Sequence, residues 1–381
     1  MPKLSVCIPV EPGFSPPDYL AKQLLKKAGT DIQVIVAPFG DTCAEAAALY
    51  ELAENDPRLL ILPPAPPEIT AGQFWLGTIA AATGDWVTLV YPDDMLEPDM
   101  PEAIEYVEAT YPEADAIGWN AFAISNDASR EIKANVPVPV THHFSMMDKA
   151  KMLDAFFQWT DGNQTPKMPF GLFHGALKKS LVETIRSAEV ASSWLTTVPR
   201  YEWAARVVLF ANGLALANRP MSAASIKPYT PVPVRSALEG FPLDGGIGLT
   251  AAIAEVQARV LAELGSAWNG FNEAFVRACV FDCMLEHDRT AFEIKCRSYH
   301  AALQKMPGGE QLIALFRPQY YPQLPDDKRR GLHGSLLLVD RFIGNAKTAQ
   351  EFYNVMRSII APVFVVTGKS QISEAERDQV R

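Results

Sequence analysis

Positive charge is in short supply in this 381-residue chain: 34 Lys and Arg stand against 44 Asp and Glu, a formal net charge of −10. That balance excludes broad binding to a nucleic-acid backbone, which needs a concentrated basic surface. It leaves room for a small anionic ligand whose charge a metal or a local cluster of cations offsets. Long apolar runs are missing too. None reaches the roughly 18 residues that a membrane-spanning helix requires. The opening MPKLSVCIPVEPG is apolar only briefly, is interrupted by Pro9 and has no small-residue cleavage pattern, so it reads as a first strand and not a secretion signal. Cysteine is sparse: Cys7, Cys43, Cys279, Cys283 and Cys296 are odd in number and sit in apolar settings. A reducing compartment fits, and a cytoplasmic protein is expected. There is no internal repeat and no low-complexity tract. No Gly-x-Gly-x-x-Gly follows the first strand, which argues against a dinucleotide-dependent oxidoreductase.

What is present is an alternation of short apolar runs with helix-type segments. Buried strands are expected over 4–10, 32–36, 59–62 and 86–91, with helices around Leu20, Leu24 and Leu25, over 44–53 and over 70–82. Continuous apolar strands separated by helices predict a mainly parallel, helix-covered sheet. Asp99 three residues before Glu102 has capping-box spacing, with Pro101 in the tolerated first turn. A strand over 116–124 and helices over 147–159, 176–188 and 201–212 complete the first part. The Pro-rich segment 227–235 is the clearest shift in composition. Beyond it, Ile253, Val256, Val260 and Leu264, then 271–305 and 346–360, recur at helical spacing. The expected organisation is an α/β domain over 1–230, a mostly helical C-terminal domain over 235–365 and a polar tail over 366–381.

The chemistry concentrates in AAATGDWVTLVYPDDMLEPDM, where a buried strand ends in two adjacent carboxylates, Asp93 and Asp94. In open α/β sheets ligands bind outside the carboxyl ends of strands. Paired carboxylates repel each other unless a cation sits with them. A hard divalent ion such as Mg2+ or Mn2+ takes one or two carboxylates and completes its shell with phosphate oxygens and water, and it stabilises a departing diphosphate as a Lewis acid. By itself the pair is equally a turn followed by a helix cap.

The surroundings extend the pattern. Trp75, Gly77, Ala82, Gly84, Asp85, Asp93, Asp94 and Pro98 stand in AGQFWLGTIAAATGDWVTLVYPDDMLEPD, and the chain opens on LSVCIPV. Over about residues 3–225 this arrangement resembles the family 2 glycosyltransferases of the GT-A fold, a Rossmann-like nucleotide-diphospho-sugar transferase architecture. PFGLFHGALKKSLVETI is similar to the family's acceptor-side strand and helix. The resemblance implies a transferase that moves a sugar, with inversion, from a nucleoside diphosphate donor to a hydroxyl of a glycan or lipid-linked glycan, as in polysaccharide biosynthesis. It implies that Asp94 holds Mn2+ or Mg2+ with Asp93 contacting the ribose or supporting the metal. Pro9, Val10, Glu11, Gly40 and Asp41 are implied for the base and ribose, with Asp85 among the donor-binding residues and His174 on the acceptor side.

Three positions depart from the family pattern. The loop after the second strand reads Ala37-Pro38-Phe39-Gly40-Asp41; Tyr91 stands at the first acidic position; and Arg200 stands where a general base is expected. Glu202, two residues on, is the candidate base or an ordinary first-turn glutamate. Arg200 is a candidate diphosphate contact. These departures keep a second reading open, a nucleotide-sugar-binding or scaffold protein with the fold but without turnover. Cys279, Cys283 and His287 share a helix face, as metal ligands or, more simply, as buried helix residues. Asp326 to Arg330, after Tyr320 and Tyr321, reads as a solvated loop or a patch for peripheral membrane contact. The helical C-terminal third is a candidate surface for self-association.

Overall fold

The structure, a computed structural model, describes residues 2–26, 31–126, 134–160, 165–166, 168–227, 229–230, 238–322 and 327–368. All of 231–237, Asp326 and the expected polar tail beyond residue 368 lie outside them. The first half is built from parallel strands β1 (Leu4–Val10), β2 (Ile32–Pro38), β3 (Leu59–Ile61) and β4 (Trp86–Leu89). Every residue of β1 and β4 is buried, because helices cover both faces of the sheet; that is why these segments read as continuous apolar runs. The flanking helices are α1 (Asp18–Leu25), the short α2 (Cys43–Ala46), α3 (Tyr50–Asn55), α4 (Ala71–Ile79) and α5 (Met100–Thr110). Thr70 starts α4 with a reciprocal capping box: its hydroxyl accepts from the Gln73 amide while the Gln73 side chain accepts from the Thr70 amide. The capping box expected at Asp99 does not form. Its side chain makes no cap hydrogen bond, and the Arg357 guanidinium lies 3.5 Å from its carboxylate.

The expected strand over 116–124 is two strands in two sheets. β5 (Met95–Leu96) is followed by β6 (Ala116–Trp119), which stays in the main sheet, and by β7 (Phe122–Ile124), which leaves it. The remaining strands are β8 (Asn135–Pro139), β9 (Phe144–Met146), β10 (Gly175–Lys178), β11 (Leu214–Ala217) and β12 (Ser222–Ser225). The main sheet runs β3-β2-β1-β4-β10-β6-β11-β9, with β10 antiparallel to both its neighbours and β9 antiparallel to β11. A smaller sheet, β5-β12-β7, stands at its edge. Helices α6 (Lys149–Phe157), α7 (Lys179–Ser187) and α8 (Pro199–Phe210) complete this part. The helix expected over 176–188 begins only after β10 has paired with β4 and β6. The α/β class and the mainly parallel first half agree with expectation.

The C-terminal part is less separate than its helical periodicity implies. Helices α9 (Leu249–Glu263), α10 (Glu273–Met284) and α11 (Arg289–Lys305), followed by the short α12 (Gly309–Leu312), share a core of their own around Phe275, Cys279 and Tyr299. The chain then returns. Strands β13 (Gly331–His333) and β14 (Leu336–Asp340) form a hairpin that pairs with β8, and α13 (Ala349–Met356) buries Phe352, Tyr353 and Met356 in the same core as β1 and α5; a last short helix is α14 (Val363–Val366). Beneath α13, Arg219 donates to Glu97 at 2.6 Å and the Tyr353 hydroxyl donates to the same carboxylate at 3.0 Å. Val136 and Val138 of β8 share one core with Val339 of β14 and with Ala349, Phe352 and Met356 of α13, so this last part of the chain packs on the first. No described helix is long and apolar enough to cross a membrane.

Candidate functional site

Beyond the carboxyl end of β4 the chain turns through Tyr91-Pro92-Asp93-Asp94. Asp94 closes this turn on itself: its amide donates to the Tyr91 carbonyl at 3.0 Å, and its Oδ2 accepts from the Tyr91 amide at 2.7 Å. Its Oδ1 accepts from the Ser225 amide at the end of β12, also at 2.7 Å. His174 Nε2 completes the set, 3.0 Å from Oδ2. Asp94 is fully buried. A buried carboxylate needs compensation of this kind, and here backbone amides and a histidine provide it.

His174 lies in the left-handed region at φ 52°, between the Phe173 bridge to β4 and the first residue of β10. Its Nδ1 is 2.7 Å from Ser222 Oγ, which also accepts from Trp119 Nε1 at 2.6 Å. One direction of donation satisfies every group: indole N–H to serine oxygen, serine O–H to Nδ1, and Nε2–H to Asp94. Gly175 lets this turn approach the backbone of Gly171, since a Cβ on it would lie 2.4 Å from the Gly171 carbonyl oxygen. The contact is backbone against backbone and has no soft side chain to yield. Gly175→Ala is therefore expected to cost at least about 1–3 kcal/mol, read as a lower urea midpoint at unchanged m-value.

Tyr91 opens the aromatic wall of a cleft. Its ring stacks on Phe14 at 4.4 Å and touches Trp75 and Phe173 at 6.1 and 5.3 Å. Its hydroxyl donates to Glu11 at 3.1 Å; burial raises the Glu11 carboxyl above its ordinary range, and the Tyr91 hydrogen bond opposes that rise. Phe14 carries Lys227 on its other face, with the ammonium 3.5 Å from the ring centre. Phe14, Trp75, Tyr91, Phe173 and Lys227, with Arg200 and Tyr229, line a cavity of about 490 Å³. A second cavity of about 340 Å³ shares Phe173, Arg200, Ala224 and Ile226 with it and extends to Trp119, Asn120 and His174. Among the described residues the lining carries the cations Lys227 and Arg200, and no Asp or Glu lines either cavity. Arg200 lies in the first turn of α8 over the Tyr201 ring and has no carboxylate partner among the described residues. The helix N-terminus adds its own preference for an anion.

The residues expected to form the donor site are only partly assembled. Arg200 lines the cleft with Tyr91 and Lys227, and Glu11 and Asp93 reach it only through those two, Glu11 at the Tyr91 hydroxyl and Asp93 3.9 Å from the Lys227 ammonium. Pro9 and Val10 are buried in β1 as support, the Val10 carbonyl accepting from the Phe39 amide and the Thr42 hydroxyl. Gly40 and Asp41 form the adjoining turn, with Gly40 at φ 57°, and line neither cavity. Asp85 stands at the opposite, amino end of β4, 3.3 Å from Lys3. The family resemblance at Gly84-Asp85 placed it in the group, but the four strand residues of β4 at about 3.3 Å each carry it away from Asp93.

Glu202 is the larger correction. It is fully buried on α8 and absent from both cavities. Its oxygens accept from Arg206 at 2.6 Å, from Arg259 at 2.8 Å and from the Trp194 amide at 2.9 Å. Burial pushes its carboxyl upward, and Arg259 and Arg206 more than reverse that, leaving it below its ordinary value. A carboxylate so held, and closed from the cleft, cannot take a proton from an acceptor hydroxyl.

The expected Mg2+ or Mn2+ also fits the donor set poorly. Both Asp94 oxygens are committed to protein donors. Asp93 accepts from the Ser15 amide at 3.1 Å and lies 3.9 Å from the Lys227 ammonium. No group of three potential ligands occurs among the described residues. The helix-face set is not a metal centre either: Cys279 and Cys283 are buried, and His287 Nδ1 lies 3.1 Å from the Tyr321 carbonyl.

The signal for Glu202 was present but spread out. Glu202 and Arg206, and Glu255, Arg259 and Glu263, are two sets of charges at four-residue spacing on otherwise apolar helices, which is how a buried ion network looks in sequence. Lys227 had no local signal, because it follows a strand whose partners lie about a hundred residues earlier.

No protein-family model matches the chain, and no curated protein matches it in sequence. Among solved structures, S. aureus TarS 1–349 in complex with UDP-GlcNAc aligns at 13% identity with a TM-score of 0.48, covering 82% of this chain and 89% of that one. The mannosyltransferase PcManGT from Pyrobaculum calidifontis, in complex with GDP-Man and Mn2+, aligns at 12% identity with a TM-score of 0.40, covering 82% and 79%. Likeness at that level speaks to neither substrate nor reaction.

Proposed function

We propose that the chain is a glycosyltransferase of hexosyltransferase type. The nucleoside diphosphate sugar binds in the aromatic-walled cavity, and its sugar passes to a hydroxyl of a glycan or lipid-linked glycan in the adjoining cavity. One observation carries the reading: two linked cavities lie beyond the carboxyl ends of parallel strands, walled by Phe14, Trp75, Tyr91 and Phe173 and charged only by Lys227 and Arg200 among the described residues. Aromatic faces suit a planar base, paired cations suit a diphosphate, and the position is where α/β sheets receive ligands. The acidic turn, the Trp75–Gly77 helix and the Gly84-Asp85 entry to β4 support it from the sequence side.

In the transfer, the acceptor oxygen bonds to the anomeric carbon while the bond from that carbon to the diphosphate oxygen breaks. The electron pair stays on the diphosphate and the acceptor proton passes to a base. Single displacement inverts the configuration. Arg200, which has no carboxylate partner among the described residues, is suited to the charge developing on the leaving group. A titration calorimetry series with UDP, GDP and their sugar conjugates tests the reading. At least one is expected to bind, and Arg200→Ala is expected to weaken it about tenfold or more, the effect of losing one charge-assisted hydrogen bond. Absence of binding by every nucleotide would overturn the proposal.

A second reading has one observation in its favour. With Glu202 sealed and no acidic side chain lining the cavities among the described residues, no general base for the acceptor is evident in either of them. A nucleotide-sugar-binding protein without turnover would bind donor yet neither hydrolyse nor transfer it. Release of nucleoside diphosphate from bound donor, measured with and without glycan acceptors, separates the two.

A further inference from the structure

We propose that the Lys227 ammonium holds the donor diphosphate in place of a divalent metal, on a strap that Asp94 fastens to the sheet; the inference rests on the nucleotide-sugar reading above. The two carboxylates that end β4 do different work from a metal pair. Asp94 Oδ1 accepts from the Ser225 amide at 2.7 Å, and the next amide, of Ile226, donates to the Ile124 carbonyl at 2.7 Å. These consecutive bonds set the backbone immediately before Lys227. Asp94 is fully buried and three protein donors already occupy its oxygens, so an ion taking it as a ligand at about 2.0–2.1 Å would have to enter that closed site.

Asp93 offers no better place. The Ser15 amide donates to its Oδ1, and its Oδ2 lies 3.9 Å from the Lys227 ammonium. A dication bound there would stand beside a like charge. The cation already present at this corner is Lys227, and it is available: its side chain is 43% exposed and lines the same cavity as Arg200. The ammonium donates one hydrogen bond, to the Gly13 carbonyl at 2.7 Å, and rests on the Phe14 ring. It has three protons, so one remains to meet a phosphate oxygen after the carbonyl and the ring face are served. Two monovalent cations, Lys227 and Arg200, then face the diphosphate, with the Asp93 carboxylate 3.9 Å from the ammonium.

The test uses the whole protein and the probes UDP and GDP in titration calorimetry, first after exhaustive EDTA and then with millimolar MgCl2 or MnCl2. For whichever nucleotide binds, the Kd is expected to change by no more than about twofold between these conditions. Lys227→Ala is expected to raise it by about tenfold or more in both, and Lys227→Arg to retain most of the affinity. The exposed position of Lys227 predicts an unchanged melting temperature for both variants without nucleotide. Binding that requires metal in the wild type, or that Lys227→Ala leaves intact, overturns the lysine proposal while the nucleotide reading stands. Binding of neither nucleotide under any condition overturns both.

Discussion

Glu202→Ala is expected to destabilise the protein by about 3–5 kcal/mol, the range for removing one partner of a buried ion pair. The change strips the central acceptor from Arg206 and Arg259, both buried, and leaves them with Glu263 and Glu255 at the margin. It also orphans the Trp194 amide. Urea denaturation measures the loss. Glu202→Gln keeps an acceptor but removes the charge, and a smaller loss is expected. The pH dependence has a definite sign. Arg259 and Arg206 lower the folded-state carboxyl below its ordinary value, so the contribution is fully present above the unfolded value of about 4.3 and is lost as pH falls through the folded one. Wild type should therefore lose more stability on acidification in that window than Glu202→Gln does. A general base behaves otherwise: its removal lowers turnover and leaves the urea midpoint in place. That pattern would overturn the structural role.

Asp94→Ala is expected to destabilise the nucleotide-free protein by on the order of 3 kcal/mol, because three donors, one buried and two half-buried, lose their acceptor and each costs about 1–3 kcal/mol. They are the Tyr91 amide, the Ser225 amide and His174 Nε2–H. The turn after β4, the strap before Lys227 and the left-handed turn at His174 loosen together, so nucleotide affinity falls as well. A carboxylate kept to bind metal predicts the opposite for the empty protein. Removing it would relieve repulsion with Asp93, and stability would hold or rise. Thermal unfolding of Asp94→Ala and Asp94→Asn without nucleotide or metal distinguishes the two. An Asp94→Ala variant as stable as wild type would overturn the anchoring role.

Both predictions turn on residues that the sequence singled out, Asp94 as a metal ligand and Glu202 as a base, and whose hydrogen-bond partners it did not state. Asp94 stands at the end of the fourth strand, as its pattern requires. Its partners Ser225 and His174, however, lie 131 and 80 residues away in the chain, and nothing local states that they donate to it. Glu202 is in the first turn of its helix, as expected. Its sealing depends on Arg259, which approaches only when α9 packs on α8. Asp85 shows the converse limit, near the site in sequence and at the far end of a strand in space. Helical periodicity has the same limit: it identifies a face to be buried but not the surface that buries it, and α13 lies in one core with β1 and α5.

The amino-acid sequence alone determined the alternation of buried strands and helices, the carboxylate pair at a strand's carboxyl end and the acidic balance of charge. These are encoded by residue type and spacing within a few turns of chain. Only the tertiary structure decided which charges face the cleft and which are locked away. It turned Asp94 and Glu202 inward to amides and guanidiniums and brought Lys227 and Arg200 to one cavity. Whether a carboxylate is free to meet a ligand depends on donors supplied from distant segments, and that supply exists only once the sheet and helices have packed.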